Sequence, residues 1–315
     1  MDTHTIHTIA THAHTVTGAD STRRHTLAQR AKTGDLVRIA PGYYLDTEAI
    51  TTHPAPNVAV DLARLLAIQH RHPHLIASGP TAAWLRDLPL LREHPLHVTT
   101  TSDHHPRPVT LPEIQAGLLH VPAVTVRPHR PRGGRSPAMV RCGGEIISAT
   151  LEDTIIECAL TLKQEEAFVV ACAGLHELAR YRRFYRDDSR RREENNRSRL
   201  LRIIGSIGPH TPGRTSARWV ITHADAGCES AGESRLLYLL VRGGLQGLET
   251  QYPVSAANKW YFIDIALPEA RIGIEFDGRG KYGSDVDSVH RSIEAEERRQ
   301  RLLEAQGWRI RRFRW

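Results

Sequence analysis

Apolar positions recur along this chain with two different periods, and the alternation between them divides it into elements. In "NVAVDLARLLAIQHR" (57–71), "GPTAAWLRDLP" (79–89) and "TLEDTIIECALTLKQEEAFVVACAGLHEL" (150–178) they return every three or four residues, which predicts helices. In "LHVTTTS", "AVTVRPHR" and "MVRCGGEIIS" the apolar runs are short and β-branched, which predicts strands. Residues 57–178 therefore read as a small mixed α/β domain. After Asp225 the order is clearest: helix "GESRLLYLLVRGG", strands near "LETQYPVS", "KWYFIDIALP" and "ARIGIEFDG", a polar helix "DSVHRSIEAEERRQRLLEAQG", and a last strand "WRIRRFRW". The polar helix makes a crossover connection, so the last strand is expected to pair parallel to "IGIEF" in a mixed sheet.

The flanking segments are less regular. Residues 1–20, "MDTHTIHTIATHAHTVTGAD", show no convincing period and are expected to form a mobile tail. Their histidines lack the spacing and partners of a metal site. In 21–56, "STRRHTLAQRAK" opens on a capping residue and predicts a helix, and "TGDLVRIAPGYYLD" predicts two strands about a Pro41-Gly42 turn. A helix followed by a basic hairpin is the closing half of a winged helix. In that module Arg23, Arg24, Arg30 and Arg38 would face DNA phosphates. A purely structural hairpin reads the residues nearly as well. In 179–224, "RYRRFYRDDSRRREENNRSRLLR" is dense in both signs of charge; a solvated helix or linker accounts for it, and a surface along a DNA backbone is the alternative.

Composition narrows the partners. The chain has 315 residues, which suits two or three domains, and a formal net charge of +7 carried mainly by arginine. Arginine donates two parallel hydrogen bonds to phosphate, so nucleic acid is the leading partner class. The four cysteines form no C-x-x-C pair and read as reduced thiols. No apolar run reaches the roughly 20 residues that span a bilayer and no secretory leader is visible, so a cytoplasmic protein without a membrane partner is expected.

Against this background the acids of "FIDIALPEARIGIEFDG" stand out, because carboxylates are poor strand formers and are rarely buried alone. Glu275 and Asp277 alternate onto one face, and hairpin pairing of the preceding strand brings Asp264 beside them. Three converging carboxylates repel one another unless a cation neutralises them. Mg²⁺, which prefers hard oxygen ligands and retains waters, is the natural occupant, with Mn²⁺ as a substitute. Such an ion polarises a phosphate and activates a water. Solvated acids paired with nearby arginines are the other reading.

The same stretch, 225–315, resembles the very-short-patch-repair-related family of endonuclease-like domains within the PD-(D/E)xK nuclease superfamily. The resemblance rests on "SAGES", Gln251, "FIDIALP", "IGIEFDG" and "ERRQRLLEAQGWRIRRF". It implies a C-terminal α-β-β-β-α-β nuclease core. It also implies that Glu233 projects toward the metal, that Asp264 and Glu275 are its main ligands, that Asp277 completes the cluster, and that Gln251 and Arg299 support it. Asp277 stands where the superfamily has its lysine. Lys281 could supply the missing charge, with Lys259 a second candidate. The stretches "GDLVRIAPGYYLD", "ASGPTAAWLRDLP" and "GGEIISATLEDTIIECAL" resemble, in order, AbiE-type antitoxin and transcriptional-regulator proteins, which implies DNA binding, autoregulation and a toxin partner.

Two functions follow from these readings. One is a Mg²⁺-dependent DNA endonuclease with an antitoxin-like regulatory region, acting in phage defence or DNA repair. The other is a non-catalytic DNA-binding antitoxin or repressor with a degenerate nuclease fold. A homodimer would suit an enzyme that cuts both strands.

Overall fold

Ile6 and Ile9 stand one helical turn apart and are both buried, which makes a helix of the segment that composition alone reads as a mobile tail. Its threonines and histidines are weak helix formers, so packing decides the matter: Ile6 sits against Gly143, where a Cβ would approach its side chain to 2.7 Å. The computed structural model describes residues 1, 3–16, 18, 20–102, 107–277 and 286–313, the side chains of 286–295 excepted. It divides into two units, Met1–Cys158 with Ile207–Thr211, and Ala159–Ser206 with Pro212–Trp315. The expected tail, charged linker and domain junctions at 56, 178 and 224 do not follow this division.

The first unit begins with α1 (Thr3–Thr11), β1 (Ala13–Thr15), α2 (Ser21–Thr33), β2 (Leu36–Ala40), β3 (Tyr43–Asp46) and α3 (Thr47–Thr51). Asp20, rather than Ser21, caps α2 by accepting a hydrogen bond from the Arg23 amide at 2.7 Å, and Gly34 closes the helix in the left-handed conformation. The expected hairpin β2–β3 is present, and β1 adds to it as an antiparallel third strand. Next come α4 (Pro56–Arg71), β4 (Leu75–Ala77), α5 (Gly79–Leu85) and β5 (Val98–Thr100). Four short strands follow, β6 (Val109–Leu111), β7 (Ile114–Ala116), β8 (Leu119–Val121) and β9 (Val124–Val126), then β10 (Met139–Cys142), β11 (Ile146–Ala149) and α6 (Leu151–Thr161). A mixed sheet of order β10-β11-β4-β5 forms here, and α4 supplies the centre of the core with Leu62, Leu65 and Ile68.

The second unit contains α7 (Gln164–Ala179), α8 (Arg186–Ser206), α9 (Arg214–His223), α10 (Ala231–Arg242), β12 (Glu249–Ala256), β13 (Lys259–Leu267), β14 (Ile272–Phe276), α11 (Val286–Ala305) and β15 (Arg309–Phe313). The sheet order is β12-β13-β14-β15, antiparallel except for the parallel pair β14–β15 that α11 connects, as the pattern of the sequence predicts. The charged run 186–206 is a packed helix instead of a linker, because Ser189, Glu193, Leu200 and Ile204 are buried along it. Among the described residues no helix is long and apolar enough to cross a membrane.

Candidate acidic site on the four-stranded sheet

Asp264 lies near the middle of β13, where the β13–β14 ladder runs from Leu267↔Ile272 to Ile265↔Ile274. Beyond that pair the Phe276 amide donates to Asp264 Oδ2 at 3.0 Å, so the carboxylate replaces a backbone acceptor at the end of the ladder. Across the sheet the β12–β13 register skips Gln251, whose φ of +48° places a non-glycine residue in the left-handed region. Its side chain is 1% exposed, and Oε1 has no hydrogen-bond donor among the described residues.

Glu233 enters from the first turn of α10. Ser230 caps that helix: its Oγ accepts from the Glu233 amide at 3.1 Å and donates to Glu233 Oε1 at 2.8 Å, while the Glu229 amide donates to Oε2 at 2.9 Å. The glutamate is thereby fixed in place. Burial and then the Asp264 charge push its pKa up to about 7, against the opposing hydrogen bonds of Glu229 and Ser230. Gly232 allows α10 to seat this closely, since a Cβ there would run into the Phe276 ring.

Glu275 is buried on β14 beside two arginines. Arg299 Nη2 lies 2.7 Å from Oε1 but directs its hydrogen bond to the Phe262 carbonyl at 2.6 Å, which leaves Oε1 ion-paired without a hydrogen bond. Arg312, its neighbour in the β14–β15 register, stands 3.5 Å from Oε2 and also pairs with Glu296. Burial is the largest influence on Glu275 and raises its pKa; Arg299 and Arg312 oppose the rise, and Asp264 and Asp277 add to it. Asp277 is buried at the end of the strand, its amide donating to the Phe313 carbonyl at 2.9 Å. The four acids expected from the sequence thus share one electrostatic neighbourhood, although among the described residues no three His, Cys, Asp or Glu side chains are grouped to hold a metal ion. Arg299 is a direct partner of Glu275, a closer role than the supporting one expected. Lys259 is exposed at the start of β13, and Lys281 lies outside the described residues.

Pattern reading misses the neighbouring network. Arg190 donates to Glu193, Asp225 and Thr250, and Arg197 donates to Glu193 and to the carbonyls of Ile221 and Ala224, which ties α8 to α9 and β12. The helical spacing of Glu193, three residues after Arg190 and four before Arg197, is the local signal for it.

In the first unit Arg23, Arg24 and Arg38 are exposed, but Arg30 pairs with Asp46 at 3.1 Å. Asp46 also takes hydrogen bonds from His12 and His14, so these histidines hold the added strand in place. A buried chain of Ser78, His97, Thr99 and Glu157 looks at first like a nucleophile with its base: Ser78 Oγ is 2.9 Å from His97 Nδ1 and 2.7 Å from Thr99 Oγ1, which donates to Glu157 at 3.1 Å. Ser78 is fully buried and hydrogen-bonded on both sides, so the chain fastens β4, β5 and α6 together and offers no open nucleophile. The sequence separation of 79 residues between Ser78 and Glu157 hides it from any motif.

A scan of the chain against protein-family models finds no matching family, and a search of the curated proteins finds no match.

Proposed function

We propose that this chain is a Mg²⁺-dependent DNA endonuclease of PD-(D/E)xK type, with its site on Glu233, Asp264, Glu275 and Asp277 and a DNA-binding, antitoxin-like region before it. The observation that carries this reading is the concentration of buried acid around the Asp264–Phe276 hydrogen bond, where Asp264 disfavours the ionised forms of both Glu233 and Glu275. Repulsion of this kind, held in place by a cap and a sheet, is relieved by a cation. The residues fit magnesium in donor chemistry: all are hard oxygens, and the buried Gln251 Oε1 lacks a hydrogen-bond donor among the described residues, while Glu275 Oε1 is ion-paired with Arg299. Asp264, Glu275 and Asp277 would hold the ion, Mn²⁺ serving as a substitute, and it would supply Lewis-acid polarisation of a phosphate and an acidified water. Glu233, titrating near neutral pH, is suited to hold or release a proton beside that centre. Arg299 keeps Glu275 in position from α11.

A specific observation favours the second reading, a non-catalytic DNA-binding antitoxin or repressor. Arg299 and Arg312 neutralise Glu275 without any metal ion. The two readings separate in one assay: supercoiled, linear, mismatched and single-stranded DNA incubated with the protein in Mg²⁺, Mn²⁺ or EDTA. Cleavage that needs the metal and disappears in Asp264→Ala and Glu275→Ala supports the nuclease, and DNA binding without cleavage in any metal supports the repressor. A tenfold or greater loss of cleavage rate in Lys281→Ala with unchanged DNA affinity would assign that lysine the missing positive charge.

A further inference from the structure

Phe184, in the 3-10 turn Arg183–Tyr185, is 69% exposed, and Trp260 on β13 is 61% exposed. Phe184 meets the Phe262 ring edge to face at 4.9 Å, and the Arg183 guanidinium lies 5.7 Å and 5.3 Å from the two ring centres. The β12–β13 ladder runs regularly from Ala256↔Lys259 to Tyr252↔Ile263, so Trp260 and Phe262 share a face opposite Tyr261 and Ile263. Those last two pack into the core with Val254, Leu303 and Trp308. The outward face of β13 therefore carries two aromatic residues whose backbone positions lie about 7 Å apart, and Asp264 follows two residues after Phe262.

The surroundings are cationic. Residues 180–192 hold seven arginines against two aspartates. Arg183 and Arg186 pair with Glu229 and Glu249, but Arg180 and Arg182 are exposed and have no ion-pair partner among the described residues. With Tyr185, Arg192 and one acid, Asp188, these two line a surface cavity of about 360 Å³. Arg182 directly precedes the turn that carries Phe184, and exposed rings close in sequence to guanidinium groups without an ion-pair partner are a combination that suits single-stranded nucleic acid, since every base has a flat face and every linkage a charge. A duplex hides its base faces, which argues against an intact double helix on the rings.

We propose that Phe184, Phe262 and Trp260 form a stacking shelf for unpaired bases of a DNA strand, with Arg180 and Arg182 on its phosphates and Asp264 at the next position along β13. The choice of DNA rests on the function proposed above; the shelf itself is tested without cleavage. Fluorescence anisotropy in EDTA would measure binding of labelled oligo-dT, of an abasic deoxyribose-phosphate oligomer of equal length, and of a duplex. Phe184→Ala and Trp260→Ala should each weaken oligo-dT binding about tenfold, within the range that one base–aromatic contact contributes. Phe184→Tyr should restore it, and the abasic oligomer should bind the wild type as weakly as oligo-dT binds the alanine variants. Equal oligo-dT affinity in wild type and both alanine variants, equal affinity for abasic and intact strands, or preference for duplex would overturn the shelf. Thermal melts check that the variants fold, and Phe184→Tyr keeps the test decisive if Phe184→Ala does not. Adding Mg²⁺ separates the two proposals: intact stacking without cutting overturns the nuclease alone, and metal-dependent cutting together with oligo-dT binding unchanged in Phe184→Ala and Trp260→Ala overturns the shelf alone.

Discussion

Glu233 carries its carboxylate where burial and Asp264 both oppose ionisation, so folding raises its pKa from 4.5 to about 7. A raised acid contributes stability that is complete below the unfolded pKa and is lost as pH rises through the folded one. The window is therefore pH 4.5 to 7, and the loss across it is on the order of 3 kcal/mol. Glu233→Gln should flatten that part of the stability profile, measured by urea unfolding at pH 5 and pH 8; a variant whose loss between these pH values equals that of wild type would remove the strain assigned to this residue. His97 behaves in the opposite sense. Burial first, then His129 and nearby cations, lower its pKa from 6.5 to about 3, so it contributes stability above pH 6.5 that is lost as pH falls toward 3. His97→Gln should lessen acid destabilisation between pH 6 and pH 4 while costing stability at pH 7 through the broken bond to Ser78.

At the scale of elements, the arginine run of α8 shows how helical period assigns different roles to neighbours. Arg190 faces buried Glu193 together with Asp225 and Thr250, whereas the Arg191 side chain is 71% exposed and among the described residues pairs with Asp188. Removing one partner of a buried charge network costs about 3–5 kcal/mol, and an exposed pair is worth under about 1 kcal/mol. Arg190→Met should therefore lower the urea midpoint strongly and Arg191→Met hardly at all; similar midpoints would show that the α8 network is solvated. Gly232→Ala tests the seat of α10. Alanine favours a helix over glycine by about 1 kcal/mol, but the added methyl runs into the Phe276 ring and overpacking costs about 1–3 kcal/mol. The clash should win, giving a lower melting temperature and, if the proposed site is active, slower cleavage because Glu233 moves with the helix.

Across the whole molecule the net charge of +7 predicts salt-dependent association with a polyanion. Arg23, Arg24 and Arg38 are exposed, while Arg30 is held by Asp46. If the β2–β3 hairpin and α2 lie on phosphates, the triple variant Arg23→Ala, Arg24→Ala, Arg38→Ala should flatten the plot of log affinity against log salt by about 1 for each phosphate no longer neutralised, and Arg30→Ala should change it less. An unchanged slope in the triple variant places the phosphate-binding surface elsewhere, and the arginines of 180–192 are then the ones to remove next.

The local pattern of the chain was enough to reveal the order of elements in its last ninety residues, the β2–β3 hairpin, and the acids Asp264 and Glu275, because strand alternation and helical period are properties of neighbours in sequence. A carboxylate inside an apolar strand is conspicuous wherever the chain folds. Tertiary structure alone decided what those acids touch. The Phe276 amide reaches Asp264 because the ladder ends beside it, and Glu275 meets Arg299 and Arg312 only once α11 has carried the chain back to a parallel strand. Tertiary packing also made a helix of Thr3–Thr11, where two isoleucines outweigh poor helix formers, and turned one arginine of α8 inward and its neighbour outward. Contacts between residues far apart in sequence leave no period to read, so burial and charge pairing follow from the assembled fold.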